Sequence, residues 1–288
     1  MKICGFTIIK NAVKNDYPIV EAITSILPVV DEMIVLVGDS DDGTEALIRQ
    51  IPSDKIRIHH SVWDPAVVLG GEILAIETNK AFDLVPADSD WAFYIQGDEV
   101  VHEQYHAAIR KAAEQYNNDP AVEGLLFNYL HFYGTFDYIG DSRRWYNKEI
   151  RVIRNDKSIR SYRDAQGFRK GGNKLRVKQV DAFVYHYGWV KSPKQMLEKQ
   201  RNFVKLWSDE TQLSSLAVQE LFDFSNYDSL QKFTGTHPAV MFPRVAAQNW
   251  QVKLDVSKKK FSLKDKLLYW VEQKTGKRLF DYQNYKII

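Results

Sequence analysis

The sequence is short of cysteine, of long apolar runs and of charge imbalance. Its single cysteine, Cys4, cannot form an internal disulfide, which fits a reducing compartment. No run of about 18 apolar residues occurs, since Pro28, Asp31 and Glu32 break the longest candidate, and no membrane-spanning helix is expected. Thirty-nine basic residues against 37 acidic ones leave a net charge of +2, too little to argue for a nucleic-acid partner. The chain enters the apolar stretch 2–9 with no charged-then-apolar leader, and neither an internal repeat nor a low-complexity linker follows. These absences point to a soluble, cytoplasmic protein holding one large domain, or a core domain with a helical appendage.

What the chain has in quantity is aromatic side chains: fifteen Phe, fifteen Tyr and seven Trp, residues that fill cores and line pockets for flat rings such as sugars and bases. The first hundred residues alternate two periodicities. Residues 2–9, 33–37, 56–59 and 91–95 read as buried strands. Between them Ile19, Ile23, Ile26 and Leu27, then Leu47 and Ile48, then Leu74, Thr78, Ala81, Phe82 and Val85 recur at helical spacing. That order implies an α/β fold, a Rossmann-like and mostly parallel sheet flanked by helices. Ligands of such sheets bind at the carboxyl ends of the strands, so loops 10–15, 38–43 and 96–99 should share one rim. After a helix near 104–116, strands at 123–132, 149–153 and 178–186 are separated by long Arg- and Gly-rich loops, and loops of that length are usually functional. Ser192 and Pro193 then open a helix with Met196, Leu197, Phe203, Val204 and Trp207 on one face.

The segment Gln96-Gly97-Asp98-Glu99 places carboxylates where a buried strand meets the rim. Mg²⁺ and Mn²⁺ prefer such oxygens and bridge them to phosphates. The competing reading is a strand-end turn whose acids are solvated or cap the next helix.

The order of motifs resembles glycosyltransferase family 2, inverting enzymes of the GT-A type, over residues 3–205. The resemblance rests on Ile8-Ile9-Lys10-Asn11, on Gly38-Asp39-Ser40-Asp41-Asp42-Gly43-Thr44, on Asn79 and Ala81, on Gln96 to Glu99, and on His186-Tyr187-Gly188-Trp189 followed by Lys199 and Arg201. It implies a nucleoside diphosphate-sugar donor bound by Lys10, Asn11, Asp39, Asn79 and Gln96, and a Mg²⁺ or Mn²⁺ held by Asp98, Glu99 and His186. It further implies a general base at Asp164, with Glu149 in reserve, and a glycan or lipid-linked saccharide as acceptor. Residues 1–190 would form the catalytic domain and 191–288 a mostly helical region completing the acceptor side. Two positions depart from the family pattern: Val37 stands where an Asp contacts the base, and Gln96 replaces the first Asp of the metal motif. A neutral amide still hydrogen-bonds a ribose hydroxyl, and the departures leave open a nucleotide-sugar-binding protein without catalysis.

A rival motif, His102-Glu103-Gln104-Tyr105-His106, matches the zinc-hydrolase pattern of two His on one helical face with a Glu between them. Near the end, Ser262-Leu263-Lys264-Asp265 is a capping-box start. It opens a helix whose apolar side chains Leu263, Leu267, Trp270 and Val271 either pack on the catalytic domain or make a peripheral contact with an anionic membrane.

Overall fold

The computed structural model describes residues 1–67, 70–205 and 210–288; Trp207 lies outside the described residues. The first half is the expected alternation: β1 (Ile3–Ile9), α1 (Ile19–Ile26), β2 (Glu32–Val37), α2 (Thr44–Arg49), β3 (Ile56–His60), α3 (Glu72–Asp83) and β4 (Trp91–Tyr94). β1 lies between β2 and β4 and β3 pairs with β2, all parallel, giving the order β3-β2-β1-β4. β1 is buried on both faces, as a strand covered by helices on each side must be. Its odd positions Ile3 and Ile9 pack with Ile19, Ile23 and Ile26 of α1. Its even positions Cys4, Phe6 and Ile8 pack with Ala81 and Phe82 of α3. Burial pushes the Cys4 thiol up to about 12, which removes it from thiolate chemistry at neutral pH.

The second half extends the sheet through β5 (Glu99–Val101), α4 (His106–Gln115), β6 (Gly124–Tyr133), β7 (Tyr138–Gly140), β8 (Lys148–Arg154), β9 (Ile159–Ser161), β10 (Phe168–Lys170), β11 (Asn173–Lys174) and β12 (Arg176–Trp189). β8 enters antiparallel between β4 and β6. β12 then runs parallel to β6 and antiparallel to β5, while β9, β10 and β11 make a separate small sheet. Arg154 clamps the junction: its guanidinium lies 3.8 Å from the Trp91 ring centre and donates to the carbonyls of Val122 at 3.0 Å and Asn117 at 2.7 Å.

The rest of the chain forms α5 (Pro193–Val204), α6 (Glu210–Ala217), β13 (Leu230–Lys232), α7 (Phe242–Ala246), α8 (Leu263–Thr275) and β14 (Lys286–Ile287). The two strands return to the main sheet, β13 on β7 and β14 on β12. Such two- and three-residue pairings carry too little apolar pattern to be read locally. The fold class is therefore α/β, a large sheet flanked by helices, parallel through its N-terminal half and mixed beyond it. Among the described residues no helix is long and apolar enough to cross a membrane.

Candidate active site

The rim forms where the parallel strands end together: Ile9 pairs with Val37 and Val37 with His60, and the Ile95 amide bonds the Phe6 carbonyl at 3.1 Å. The loops that follow are stitched to one another. Lys10 meets Asp39 at 2.7 Å, Asn11 N donates to Ser40 Oγ at 3.0 Å, and Asp41 N donates to Asn11 Oδ1 at 3.1 Å. Asp39 also accepts from the Trp63 amide at 3.0 Å, and although burial works the other way, these bonds hold its carboxyl below the usual carboxylate range. Trp63 was not singled out in the sequence. It fits because Gly38 has no side chain: a Cβ there would lie 2.5 Å from the indole nitrogen. That buried indole N–H has no acceptor among the described residues.

Beneath the rim opens a cavity of about 1030 Å³ lined by Lys10, Asn11, Trp63, Gln96, Asp98, His186, Lys199, Glu149 and Asp164 among others. Asp98 is the centre of its charge. Asp98 Oδ2 lies 3.5 Å from His186 Nε2 and 3.2 Å from Lys199 Nζ, and the Tyr187 amide fixes the Asp98 carbonyl at 2.8 Å. Burial alone would raise the Asp98 pKa, but the neighbouring Lys199 and His186 outweigh it and hold it far below the ordinary range. Gly188 lets these groups converge, since a Cβ there would sit 2.5 Å from His186 Nε2 and 2.6 Å from Asp98 Oδ2. Its place in the His-Tyr-Gly segment is thus a steric requirement.

A second histidine, His131, completes the cluster and was missed in the sequence. Parallel pairing of β6 with β12 sets His131 beside His186, their Nδ1 atoms 3.2 Å apart, and His131 Nε2 lies 3.0 Å from the Tyr146 carbonyl. Burial and the neighbouring His186 keep His131 neutral. Its one N–H must serve the Tyr146 carbonyl, so its Nδ1 accepts from His186 Nδ1–H. That leaves His186 Nε2 facing the Asp98 carboxylate at 3.5 Å, an arrangement that suits a cation, proton or metal ion, between them. The donor set, one carboxylate oxygen and one oriented imidazole, therefore fits a hard divalent ion that takes its remaining ligands from a diphosphate. Among the described residues no group of three or more His, Cys, Asp or Glu side chains could hold a metal alone.

Two residues expected in the site are placed elsewhere. Glu99 is fully buried, with Arg151 Nε on Oε2 at 2.8 Å, Arg151 Nη2 and Tyr129 OH on Oε1, and the Gln96 amide on Oε2 at 3.1 Å. Both oxygens are occupied by a buried ion pair, so Glu99 is no metal ligand: it lies just past the tight turn that holds Asp98, where the Glu99 amide bonds the Gln96 carbonyl at 3.1 Å. Asn79 bonds the Ser161 backbone on both sides, at 2.8 and 3.2 Å, and ties α3 to β9 instead of facing the cavity. The zinc pattern also comes apart. His102 caps its own turn through Nδ1 and reaches Thr236 at 2.9 Å, whereas His106 reaches the Ser25 carbonyl at 2.8 Å. The Glu between them, Glu103, accepts from the Ala239 amide at 3.2 Å.

Elsewhere on the cavity wall lie two carboxyl groups, each with one buried oxygen that has no hydrogen-bond partner among the described residues. Asp164 is held between Arg163 and Ala165, both left-handed at φ 57° and 60°, a strained turn that aims it. Its Oδ1 has no hydrogen-bond partner among the described residues, and burial raises its pKa. Glu149 and Asn284 are each 8% exposed, line the same cavity, and each has an oxygen with no hydrogen-bond partner among the described residues, although Arg151 Nη1 lies 3.5 Å from Glu149 Oε2. Burial pushes Glu149 up to about 8, Arg151 opposing. The folded protein thus binds this proton more tightly than the unfolded chain. Its contribution to stability falls as pH rises between about 4.5 and 8, by up to about 1.4 kcal/mol per pH unit. Glu149→Gln, which cannot ionise, is expected to match the parent near pH 5 and exceed it above pH 8 in urea denaturation. Parallel pH profiles for the two proteins would assign the proton elsewhere.

No family profile and no curated protein matches the sequence. Among solved structures, the chain is similar to S. aureus TarS at 14% identity, over 76% of this chain and 43% of that one, with a TM-score of 0.40. For TarS 1-349 in complex with UDP-GlcNAc the values are 14% identity, 75% and 69% coverage, and 0.41. A third is glucosyl-3-phosphoglycerate synthase from Mycobacterium tuberculosis, in complex with Mn²⁺, UDP and phosphoglyceric acid. It matches at 19% identity over 45% of this chain and 43% of that one, with a TM-score of 0.32. The chain thus spans less than half the length of full TarS.

Proposed function

We propose that this chain is an inverting, metal-dependent glycosyltransferase of the GT-A type, which moves a sugar from a nucleoside diphosphate-sugar to a hydroxyl of a glycan or lipid-linked saccharide. One observation carries the reading. A carboxylate, an oriented imidazole and an ammonium converge at the strand rim, in the same cavity that holds the buried Asp164 and Glu149 carboxyl groups. The first set suits a diphosphate and the second an incoming hydroxyl.

Asp98 and His186 would hold Mg²⁺ or Mn²⁺, which when bound neutralises the charge that develops on a diphosphate leaving group. Lys199, whose ammonium also donates to the Gly188 carbonyl at 2.8 Å, adds a fixed positive charge beside those oxygens. Trp63 offers its ring to a base, Lys10 and Asn11 stand at the same rim, Asp39 holds Lys10 and Trp63 in place, and the Gln96 amide suits a ribose hydroxyl. Asp164 would take the proton of the acceptor hydroxyl as its oxygen bonds to the anomeric carbon and the bond to the diphosphate breaks on the opposite face. Glu149 is the poorer base, because with a pKa of about 8 it still carries its own proton at neutral pH and serves better as a hydrogen-bond donor to the acceptor. Residues after 190 share in this side of the cavity through Asn284 and Tyr285.

A thermal-shift and donor-hydrolysis panel tests the reading, using nucleoside diphosphates and their sugars with Mg²⁺, Mn²⁺, Zn²⁺ or chelator. One nucleotide with Mg²⁺ or Mn²⁺ should raise the melting temperature by roughly 5–10 °C near a hundredfold excess over its Kd, with slow release of sugar. If no nucleotide shifts the melting point under any condition, the proposal fails.

A further inference from the structure

The outward face of α8 is apolar. Leu263, Leu267 and Trp270, spaced i, i+4 and i+7 along one line of the helix, are 87%, 62% and 59% exposed. The helix is anchored by polar contacts on another side. Tyr269 OH donates to Asp141 at 2.9 Å, and Glu272 receives Arg143 at 3.2 Å and Arg278 at 3.5 Å. Of the two outcomes open to this helix, packing of the whole apolar set on the catalytic domain is thus not the one the fold adopts.

The charge around this line has one sign. Lys264, Lys266 and Lys274 on the helix and Lys277 just beyond it are exposed. The helix's acids are turned aside, Asp265 to Ser262 and Glu272 to the two arginines. After Gly276, at φ 67°, closes the helix, Phe280 sits in the left-handed region at φ 58° and is 89% exposed. A bulky residue in that conformation is strained, and here the strain keeps an aromatic ring in water.

We propose that α8 docks on the surface of an anionic lipid bilayer, its Leu263, Leu267 and Trp270 entering the headgroup boundary and its lysines meeting the lipid phosphates. A second copy of this chain is the poorer occupant, because the same face would bring lysines against lysines. The 13-residue helix is too short to cross a bilayer and suits a position on it. From α8 the chain reaches Asp281 and Tyr282, which line the large cavity, so docking sets that part of the cavity wall close to the lipid surface. The inference stands apart from the proposed chemistry, since its test involves no turnover.

The test is sedimentation of the full chain with vesicles of phosphatidylcholine alone or mixed with phosphatidylserine. Binding to the mixed vesicles is expected, weakened by salt. The Leu267→Ser/Trp270→Ser variant should lose it, with far-UV circular dichroism and melting temperature unchanged because both side chains already face water. Lys264→Glu/Lys266→Glu/Lys274→Glu should lower binding by about tenfold or more. The proposal is overturned by absence of binding, by binding that these variants leave intact, or by a concentration-dependent dimer that Leu267→Ser/Trp270→Ser abolishes, which would assign the face to a second copy.

Discussion

Asp98→Asn is expected to lower sugar transfer and donor hydrolysis by on the order of 10²–10³-fold, the loss typical when one group that meets developing charge is removed. The substitution keeps the shape of the side chain but removes the charge that faces His186 and Lys199. Nucleotide alone should still bind at the Lys10 and Trp63 side of the rim, while the dependence of that binding on Mg²⁺ or Mn²⁺ should disappear. Because the folded-state pKa of Asp98 is depressed, its ionic contribution to stability is present above the ordinary carboxylate range and is lost only as pH falls through the folded value. The variant is therefore also less stable at neutral pH, and its turnover has to be compared per folded molecule. Unchanged turnover in folded Asp98→Asn would exclude a catalytic role for this carboxylate and for a metal ion held by it.

Removing one partner of the buried pair Glu99–Arg151 should have the largest effect on stability. Arg151 is 1% exposed and Glu99 fully buried, with the guanidinium 5.4 Å from the Tyr129 ring centre and 5.7 Å from that of Tyr94. Arg151→Met would strand an anion in this aromatic surrounding, at a cost of about 3–5 kcal/mol. For a chain of this size that is a fall in melting temperature of roughly 10 °C. The double variant Glu99→Leu/Arg151→Met removes both charges and is expected to recover most of the loss, since a buried pair replaced by apolar groups is often close to neutral. A thermal denaturation series over the parent, the two single variants and the double variant measures the coupling. A loss in the double variant equal to the sum of the two single losses would mean that Glu99 and Arg151 act separately.

These two carboxylates show how far the motif Gln96-Gly97-Asp98-Glu99 could be read. Its position at a strand end, and hence on the rim, follows from local apolar pattern and the crossover rule. Asp98 and Glu99, adjacent in sequence, nevertheless have unrelated surroundings, because one faces the cavity and the other enters β5 and meets a guanidinium delivered by β8. Asp98 sits in a tight turn that the Glu99 amide closes on the Gln96 carbonyl at 3.1 Å, so the period-two alternation of a strand does not apply and no local pattern says which carboxylate faces the rim. The zinc pattern was misleading for a related reason. Its four-residue spacing assumes a continuous α-helix, but the segment begins as a tight 3-10 turn in which His102 is a cap.

The sequence by itself determined the strand–helix alternation of the parallel half of the sheet, the rim loops at Lys10, Asp39 and Gln96, and the place of Asp98 just past a strand end. Each of these is encoded in a short window, by apolar runs bounded by polar turns. Only the tertiary structure decided which groups meet there. His131 reaches His186 through a strand pairing 55 residues apart in sequence, and Asn284 reaches the cavity beside Gly167, where a Cβ would lie 2.3 Å from its amide nitrogen. Trp63 reaches the base side because Gly38 leaves it room. Contacts of that kind depend on register and on missing side chains, which leave no periodic trace in the chain. The outward turn of Leu263, Leu267 and Trp270 was likewise decided by what α8 packs against: a capping box and helical spacing define an apolar line, and only the Arg143 and Asp141 anchors determine which way it faces.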